Sequence, residues 1–498
     1  MDLVVTAVLP VLLGRADVVE QGPMDATPSG LLAGVGRADI TPPKGIAQLN
    51  WGSQTHVVAE GNDPVGMCVT ALVISDGKQK FAMVDIDVLS VDGLEEVIGR
   101  AAAASGIPPA HIRLAASHTH AGPAVSRAKG TPGIDLSPHE ALFRTWWKMV
   151  SEKIVAVVVE ANAALRPVHL YGARGTGTIN INRRVRAAGG MPAAVGRNPE
   201  AFVDRELVVA RIDDAEGKPY AVLVNYQCHG TVLGHENKLI SLDWIGMMRQ
   251  VVEQALVPAK CLFFQGAAGN QGPVEGFSGD LSVAHRLGSI LGYQGAALAL
   301  GVETVRREPA FEGFVESTAY QAKQPWRVRG PREATLKFAL RTIEVPQRRY
   351  TPQDIEEMRK LAAEARAKVE QMKGSGDVWK RHQAEARLRR YADLLEQYQR
   401  PAEAVPLKVQ VQVLRIGEVA MVAMAGEPFA EIGAAVKKAS PFPVTMFCGY
   451  SSGAGGDYMP VEAEYRLGGY EVERTPYGPA AGGMVIKKAI ELLKEVRR

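Results

Sequence analysis

The chain has 498 residues, 46% hydrophobic and 22% charged. That balance belongs to a globular protein and excludes a disordered, collagen-like or coiled-coil chain. Lys plus Arg total 57 against 54 Asp plus Glu, a formal charge of +3, which argues against nucleic acid as a partner.

Residues 1–33 read as an irregular leader. Its apolar run, residues 3–13, is preceded by Asp2 and by no Lys or Arg. A secretory signal carries a positive segment there. The expectation is a short strand or a loose tail, and a cytoplasmic rather than a secreted protein. No stretch reaches the ~20 apolar residues that span a bilayer. Four cysteines, Cys68, Cys228, Cys261 and Cys448, form no CxxC pair and read as buried thiols.

The globular pattern begins near Leu32. Residues 71–78 read as a strand entering a turn, and 80–88 as a second strand. Leu94, Val97, Ile98 and Ala101 give residues 91–104 helical spacing, and 112–116 is strand-like again. This β-α-β order predicts parallel strands within a mixed sheet. The pattern recurs in a strand at 220–226, a helix at 243–256 and a strand at 260–264. A Gly-rich loop and a helix ending near Gly301 follow. Further on come a strand at 419–424, a helix at 428–439 with Pro428 in its first turn, a strand at 444–448 and a last helix at 483–496. Residues 351–399 are dense in Glu, Lys, Arg, Ala and Leu, and are broken at 373–377. They predict a helical hairpin, read as a packing or oligomer arm in preference to a lid. The fold class is α/β, with α+β as the alternative: mixed sheets covered by helices, with an inserted hairpin.

Chemistry gathers where these strands end. His118 and His120 follow the strand at 112–116, and His229 follows the strand at 220–226. Neutral imidazole is the commonest zinc ligand, and open α/β sheets place ligands at strand ends. The loop at 265–273 can offer backbone N–H groups to an oxyanion through Gly269, Asn270 and Gly272, or can be a tight turn. It lacks the Lys-Ser/Thr ending of a P-loop. Glu427 precedes a helix, and Tyr458 and Tyr470 stand in later loops. Two histidines and a carboxylate can leave a zinc coordination position open for water. His235, in a loop, reads as solvated. The other histidines read as surface or capping residues.

Several stretches carry a family resemblance. They are Val35-Gly36-Arg37-Ala38-Asp39-Ile40-Thr41-Pro42, Ser117-His118-Thr119-His120-Ala121-Gly122-Pro123, the strand ending at His229, and residues 265–270. Gly426-Glu427, Tyr458 and Tyr477-Gly478-Pro479 complete the set. In order and spacing the chain resembles the catalytic N-terminal domain of neutral/alkaline non-lysosomal ceramidases, over about 33–345 and 405–498. The resemblance implies a zinc hydrolase that cuts the amide of an N-acylsphingosine. It implies His118, His229, Glu427 and Tyr458 as zinc ligands and His120 as a histidine beside the substrate. It also implies Arg183 as a substrate contact and Tyr470 as a pocket tyrosine. Gly272 departs from the family, which has a serine there, so a serine nucleophile at that position is excluded. The chain also ends about twenty residues after Tyr477-Gly478-Pro479, with no C-terminal β-sandwich domain expected, and the hairpin is not a feature of the resemblance. These departures turn the expectation from ceramide itself to an N-acyl amide, ceramide-like or smaller.

The expected mechanism is attack by a zinc-activated water on the amide carbonyl. Tyr458 or Tyr470 stabilises the oxyanion, and His120 protonates the leaving amine. Asp87 and Asp243 are expected to orient ligand histidines. The expected partner is a small-molecule or lipid-like amide, and a homo-oligomer is left open. The competing readings are a zinc-dependent ester or lactone hydrolase, and a non-catalytic binding protein on the same fold.

Overall fold

The computed structural model describes residues 29–124, 137–186, 193–399 and 405–498. Most of the leader, with its apolar run, lies outside the described residues.

An eight-stranded sheet forms the centre. Its strands lie in the order Lys260–Gln265, Pro219–Tyr226, Glu206–Asp214, Arg166–Thr176, Leu31–Asp39, Cys68–Ser75, Lys80–Ile86 and Ile112–Ala116. A four-stranded sheet, Leu336–Val345, Leu407–Ile416, Val419–Met424 and Val444–Cys448, packs against one of its faces. Most neighbours are antiparallel. The parallel pairs are Lys80–Ile86 with Ile112–Ala116, Pro219–Tyr226 with Lys260–Gln265, and Val419–Met424 with Val444–Cys448. Each is joined by a helix, as a parallel crossover requires. The mixed α/β expectation therefore holds, helix α1 (Glu95–Ser105) being the first of these crossovers.

Both faces of the central strands are apolar because both are covered. Leu72, Ile74, Phe81 and Met83 meet Leu414, Met421, Val444 and Met446 between the sheets. The alternate residues Val73, Val84 and Ile86 pack on Trp146, Val150 and Ile154 of helix α2 (Ser137–Ala163). At the other end, Val209, Val224 and Phe263 pack on α3 (Trp244–Ala255) and α4 (Leu281–Leu300). Helix α5 (Pro352–Met372) and helix α6 (Val378–Gln399) form the hairpin, seamed by Met358, Leu394 and Tyr398. The small sheet is covered on its outer face by α7 (Ala430–Ala439) and, after the short α8 (Tyr470–Arg474), by α9 (Ala481–Arg497).

Three sequence expectations change, the first being the leader: residues 31–33, read as part of it, already belong to the strand Leu31–Asp39. Pro428 is not in a helix: Glu427 and Pro428 form a two-residue parallel ladder with Tyr458 and Met459, and α7 starts only at Ala430. Asn270 fixes that start, its side-chain oxygen accepting the N–H of Ala430 at 2.9 Å. Helix α1 begins at Glu95 rather than near residue 91.

Candidate metal centre

The expected strand ends do converge. The loop after Ile112–Ala116 and the loop after Pro219–Tyr226 run side by side, joined by a parallel bridge between Thr119 and Gly230 and by the His120 N–H donating to Gly230 O at 3.1 Å. A Cβ on residue 230 would lie 3.0 Å from His118 O and 3.1 Å from Thr119 Cα. A side chain there would press the two loops apart by a few tenths of an ångström. On the other side, Ala116 N–H donates to Tyr450 O, and Tyr450 N–H to Gly426 O, stitching the small sheet to the same strand end. His118, Tyr450 and Asp457 all have positive φ, at 64°, 52° and 56°. Left-handed backbone in such residues persists only where the surroundings over-determine it, typically at functional sites.

Ring nitrogens of His118, His120 and His229 lie within 4.8 Å of one another. His118 Nε2 is 3.3 Å from His120 Nε2. Glu427 Oε2 stands 3.0 Å from His229 Nε2 and 3.6 Å from His118 Nε2. The tautomers follow from the partners. His118 Nδ1 faces Leu89 O at 2.7 Å, and His229 Nδ1 faces Ala268 O at 2.7 Å. A carbonyl only accepts, so Nδ1 carries the proton and Nε2 presents a lone pair. Burial lowers the pKa of all three histidines, to about 4 for His229, so the rings are neutral at pH 7. The carboxyl of Glu427 is held well below its usual range: burial works against this, and His118, His229 and Arg183 outweigh it. A neutral Nε2 and a carboxylate oxygen are both acceptors, and they approach to 3.0 Å. A positive centre shared between them satisfies both. The donor set of His118, His229 and Glu427 therefore fits a divalent cation of the zinc type.

Tyr458 stands opposite Glu427 in the short ladder. Its hydroxyl accepts from Arg183 Nη2 at 3.0 Å, and burial raises its pKa well above the usual phenol range. Arg183 is buried, with Nε donating to Glu471 at 2.8 Å. Tyr470 lies 5.7 Å from Tyr458, ring to ring. His120 lies against Trp51, the rings tilted at 42° with centroids 5.2 Å apart. Unlike its two neighbours, it has no carbonyl holding Nδ1, which is buried without a hydrogen-bond partner.

A cavity of about 910 Å³ opens over His120, Arg183, Tyr458 and Tyr470. Helix α6 forms part of its wall through Ala386, Arg389, Arg390, Asp393, Leu394 and Gln397. The hairpin thus lines the cavity over the site, which favours the lid reading over the packing arm preferred from the sequence. Stacking of Tyr350 on Tyr398 at 3.6 Å and the Arg390–Glu473 ion pair hold it down. His235 also lines the cavity, half-buried, where the sequence suggested solvent.

Other expected roles fail on geometry. Asp87 accepts from Cys68 N and from Arg249, and touches no histidine. Asp243 caps α3 and accepts from the N–H groups of Val232, Leu233 and Trp244. Backbone carbonyls, not carboxylates, orient His118 and His229. The Gly-rich loop is a buried structural turn. Gly269 N–H donates to Pro428 O and Asn270 Nδ2 to Glu431, while Gly272 sits in a strand pairing with Ile181. Residues that the sequence reading missed include Tyr450, which stacks 4.4 Å from His118, Trp51, and Glu471, which bridges Arg183 and Arg184. Tyr450 follows a strand end, the signal that found the histidines; Glu471 left none.

Comparison with known proteins gives the family and a similar fold. Residues 31–280 match the family described as neutral/alkaline non-lysosomal ceramidase, N-terminal. Neutral ceramidase B of Dictyostelium discoideum is 31% identical over 143 residues, which is 27% of this chain and 18% of that protein. Neutral ceramidase A of the same organism is 27% identical over 186 residues, 37% of this chain and 24% of that protein. The matched stretches thus span a quarter or less of those relatives. The neutral ceramidase of Pseudomonas aeruginosa has a similar fold, with a TM-score of 0.57 at 18% identity, covering 94% of this chain and 74% of that one. A ceramidase complexed with C2 gives a TM-score of 0.59 at 18% identity, over 94% and 75% of the two chains.

Proposed function

The chain belongs to the neutral/alkaline non-lysosomal ceramidase family, and from that premise we propose that it is a zinc-dependent hydrolase of a carbon–nitrogen amide bond. The substrate is an N-acyl amide, ceramide-like or smaller. The observation that carries this reading is the approach of His229 Nε2 and Glu427 Oε2 to 3.0 Å beside His118, two acceptors when the ring is neutral, which a cation between them would satisfy.

His118, His229 and Glu427 would hold the ion, with Tyr458 beside them. Zinc there supplies Lewis-acid polarisation of a carbonyl and activation of water at neutral pH. The protein's own groups do the rest. Burial favours the protonated phenol of Tyr458, and Arg183 bonds its oxygen. Its O–H is therefore a donor for the oxygen on which charge develops as the amide carbon turns tetrahedral. His120 is neutral at pH 7 and lines the cavity. It takes a proton from the attacking water and passes it to the leaving nitrogen, so base and acid are one imidazole acting in sequence. No serine is needed, which agrees with Gly272. Trp51, Phe277 and Leu394 give the cavity an apolar wall for the acyl chain.

The test is a panel of N-acyl amides and matched esters offered to the zinc-loaded protein. Amide cleavage that is lost on chelation and restored by zinc is the expected result. Ester cleavage without amide cleavage would replace this reading with an esterase.

A further inference from the structure

The walls of the cavity carry more cationic groups than an amide site needs. Arg183, Arg389, Arg390 and Arg474 line it, against Asp393 and Asp457. Two of these arginines share one platform. The guanidinium carbons of Arg390 and Arg474 lie 4.7 and 5.7 Å from the centre of the Tyr470 ring, and that ring stands beside Tyr458.

Both guanidiniums are anchored. Arg474 donates through Nε and Nη2 to Asp457, at 3.3 and 3.2 Å. Arg390 donates through Nη2 to Glu473. A guanidinium carries five N–H groups, so one carboxylate fixes it without exhausting it. Arg390 Nε is buried, with no hydrogen-bond partner among the described residues. With the anchoring carboxylates counted, the site is not a broad positive field. Selection would come from directed N–H groups, which suit the planar, bidentate geometry of a carboxylate.

We infer that the substrate is an N-acyl amide bearing a carboxylate, as in an N-acylated amino acid, and that Arg390 and Arg474 beside Tyr470 receive the carboxylate. This rests on the amide-hydrolase reading above and narrows its substrate class. Arg390 comes from α6, so the hairpin that closes the cavity also supplies specificity. A volume of about 910 Å³ lies within the range of small-molecule sites.

The test compares N-lauroylglycine with N-lauroylethanolamine, which share an acyl chain and differ in carboxylate against hydroxyl. The zinc-loaded full chain is predicted to favour the acid by about tenfold or more in kcat/KM, equivalent to about 1.4 kcal/mol. In Arg390→Gln and Arg474→Gln the KM for the acid rises, and the preference falls toward one. Equal or better use of the neutral amide by the wild-type protein would overturn the proposal. So would variants that weaken both substrates alike. Calorimetric binding of N-lauroylglycine to the wild-type protein and to Arg390→Gln separates this claim from its premise. If neither amide is cut but acid binding is selective and lost in the variant, the anion site stands and the hydrolase reading falls. If binding shows no selectivity for the acid, the anion site falls.

Discussion

Glu427 and Tyr458 are register partners in a two-residue parallel ladder. The carboxylate and the phenol thus stand side by side. The ladder is secured by the N–H of Glu427 donating to Asp457 O and the N–H of Phe429 donating to Met459 O. Arg183 then bonds the phenol oxygen, and Glu471 bonds Arg183. The links from Glu471 through Arg183 to Tyr458 are buried. In this site the backbone sets the positions, and the charges keep them.

His120→Ala separates ion binding from turnover. His120 lacks the backbone carbonyl that fixes the other two rings, and it faces the cavity. The variant is expected to keep its zinc and to lose about 10²–10⁴-fold in kcat. Elemental analysis beside steady-state kinetics reads both. Loss of zinc would make His120 a ligand, and full activity would remove it from proton transfer.

Glu471→Ala removes the carboxylate that Arg183 and Arg184 share. Arg183 would lose its carboxylate partner and Arg184 one of its two, Glu464 remaining, a change of about 3–5 kcal/mol in stability. Denaturant unfolding measures it. Glu471→Gln is expected to lie between, since it keeps acceptor capacity but not charge. An alanine variant within 0.5 kcal/mol of wild type would show that the network is not structural.

Gly230→Ala tests the close passage of the two histidine loops. The new methyl would meet His118 O and the Thr119 backbone at about 3 Å. Overpacking of this kind costs about 1–3 kcal/mol, and the loops must part to relieve it. Weakened zinc affinity with the fold retained is expected, read by competition with a chelator and by circular dichroism. Unchanged affinity would mean that the loops tolerate separation.

Proton competition gives a pH signature. Burial lowers the pKa of His118, and that of His229 to about 4, and only the neutral imidazole binds metal. A lowered pKa keeps the ring neutral to lower pH, so zinc is expected to stay bound through pH 6.5 and to leave as pH falls toward 4. Dialysis at stepped pH with elemental analysis follows this. Release between pH 6 and 7 would show ligands with ordinary imidazole behaviour.

Much of the frame was legible in the sequence. Each β-α-β segment left two periodicities and a strand end, and the residue after the strand was the informative one. His118, His229 and Glu427, two or three residues past strand ends, were singled out that way, and the structure brings them together. Asp87 and Asp243 also stand where strands end or helices begin, yet they serve Arg249 and the start of α3. The groups that orient the histidines are the carbonyls of Leu89 and Ala268, which carry no side-chain signature. The hairpin was visible as an element but not as a wall of the cavity. Its place depends on tertiary contacts such as Gln383 to Ser53 O and Arg390 to Glu473. The Gly-rich loop looked like an oxyanion site because its composition suits one, but Gly269 and Gln271 donate their N–H groups to backbone carbonyls.

Metal content of the purified wild-type protein and of His229→Ala, measured side by side after zinc is supplied and the excess removed, tests the metal centre most directly. The prediction is about one zinc per chain in the wild type and none in the variant, with both folded by circular dichroism. A folded wild-type protein that retains no zinc, or a variant that retains as much as the wild type, would contradict it.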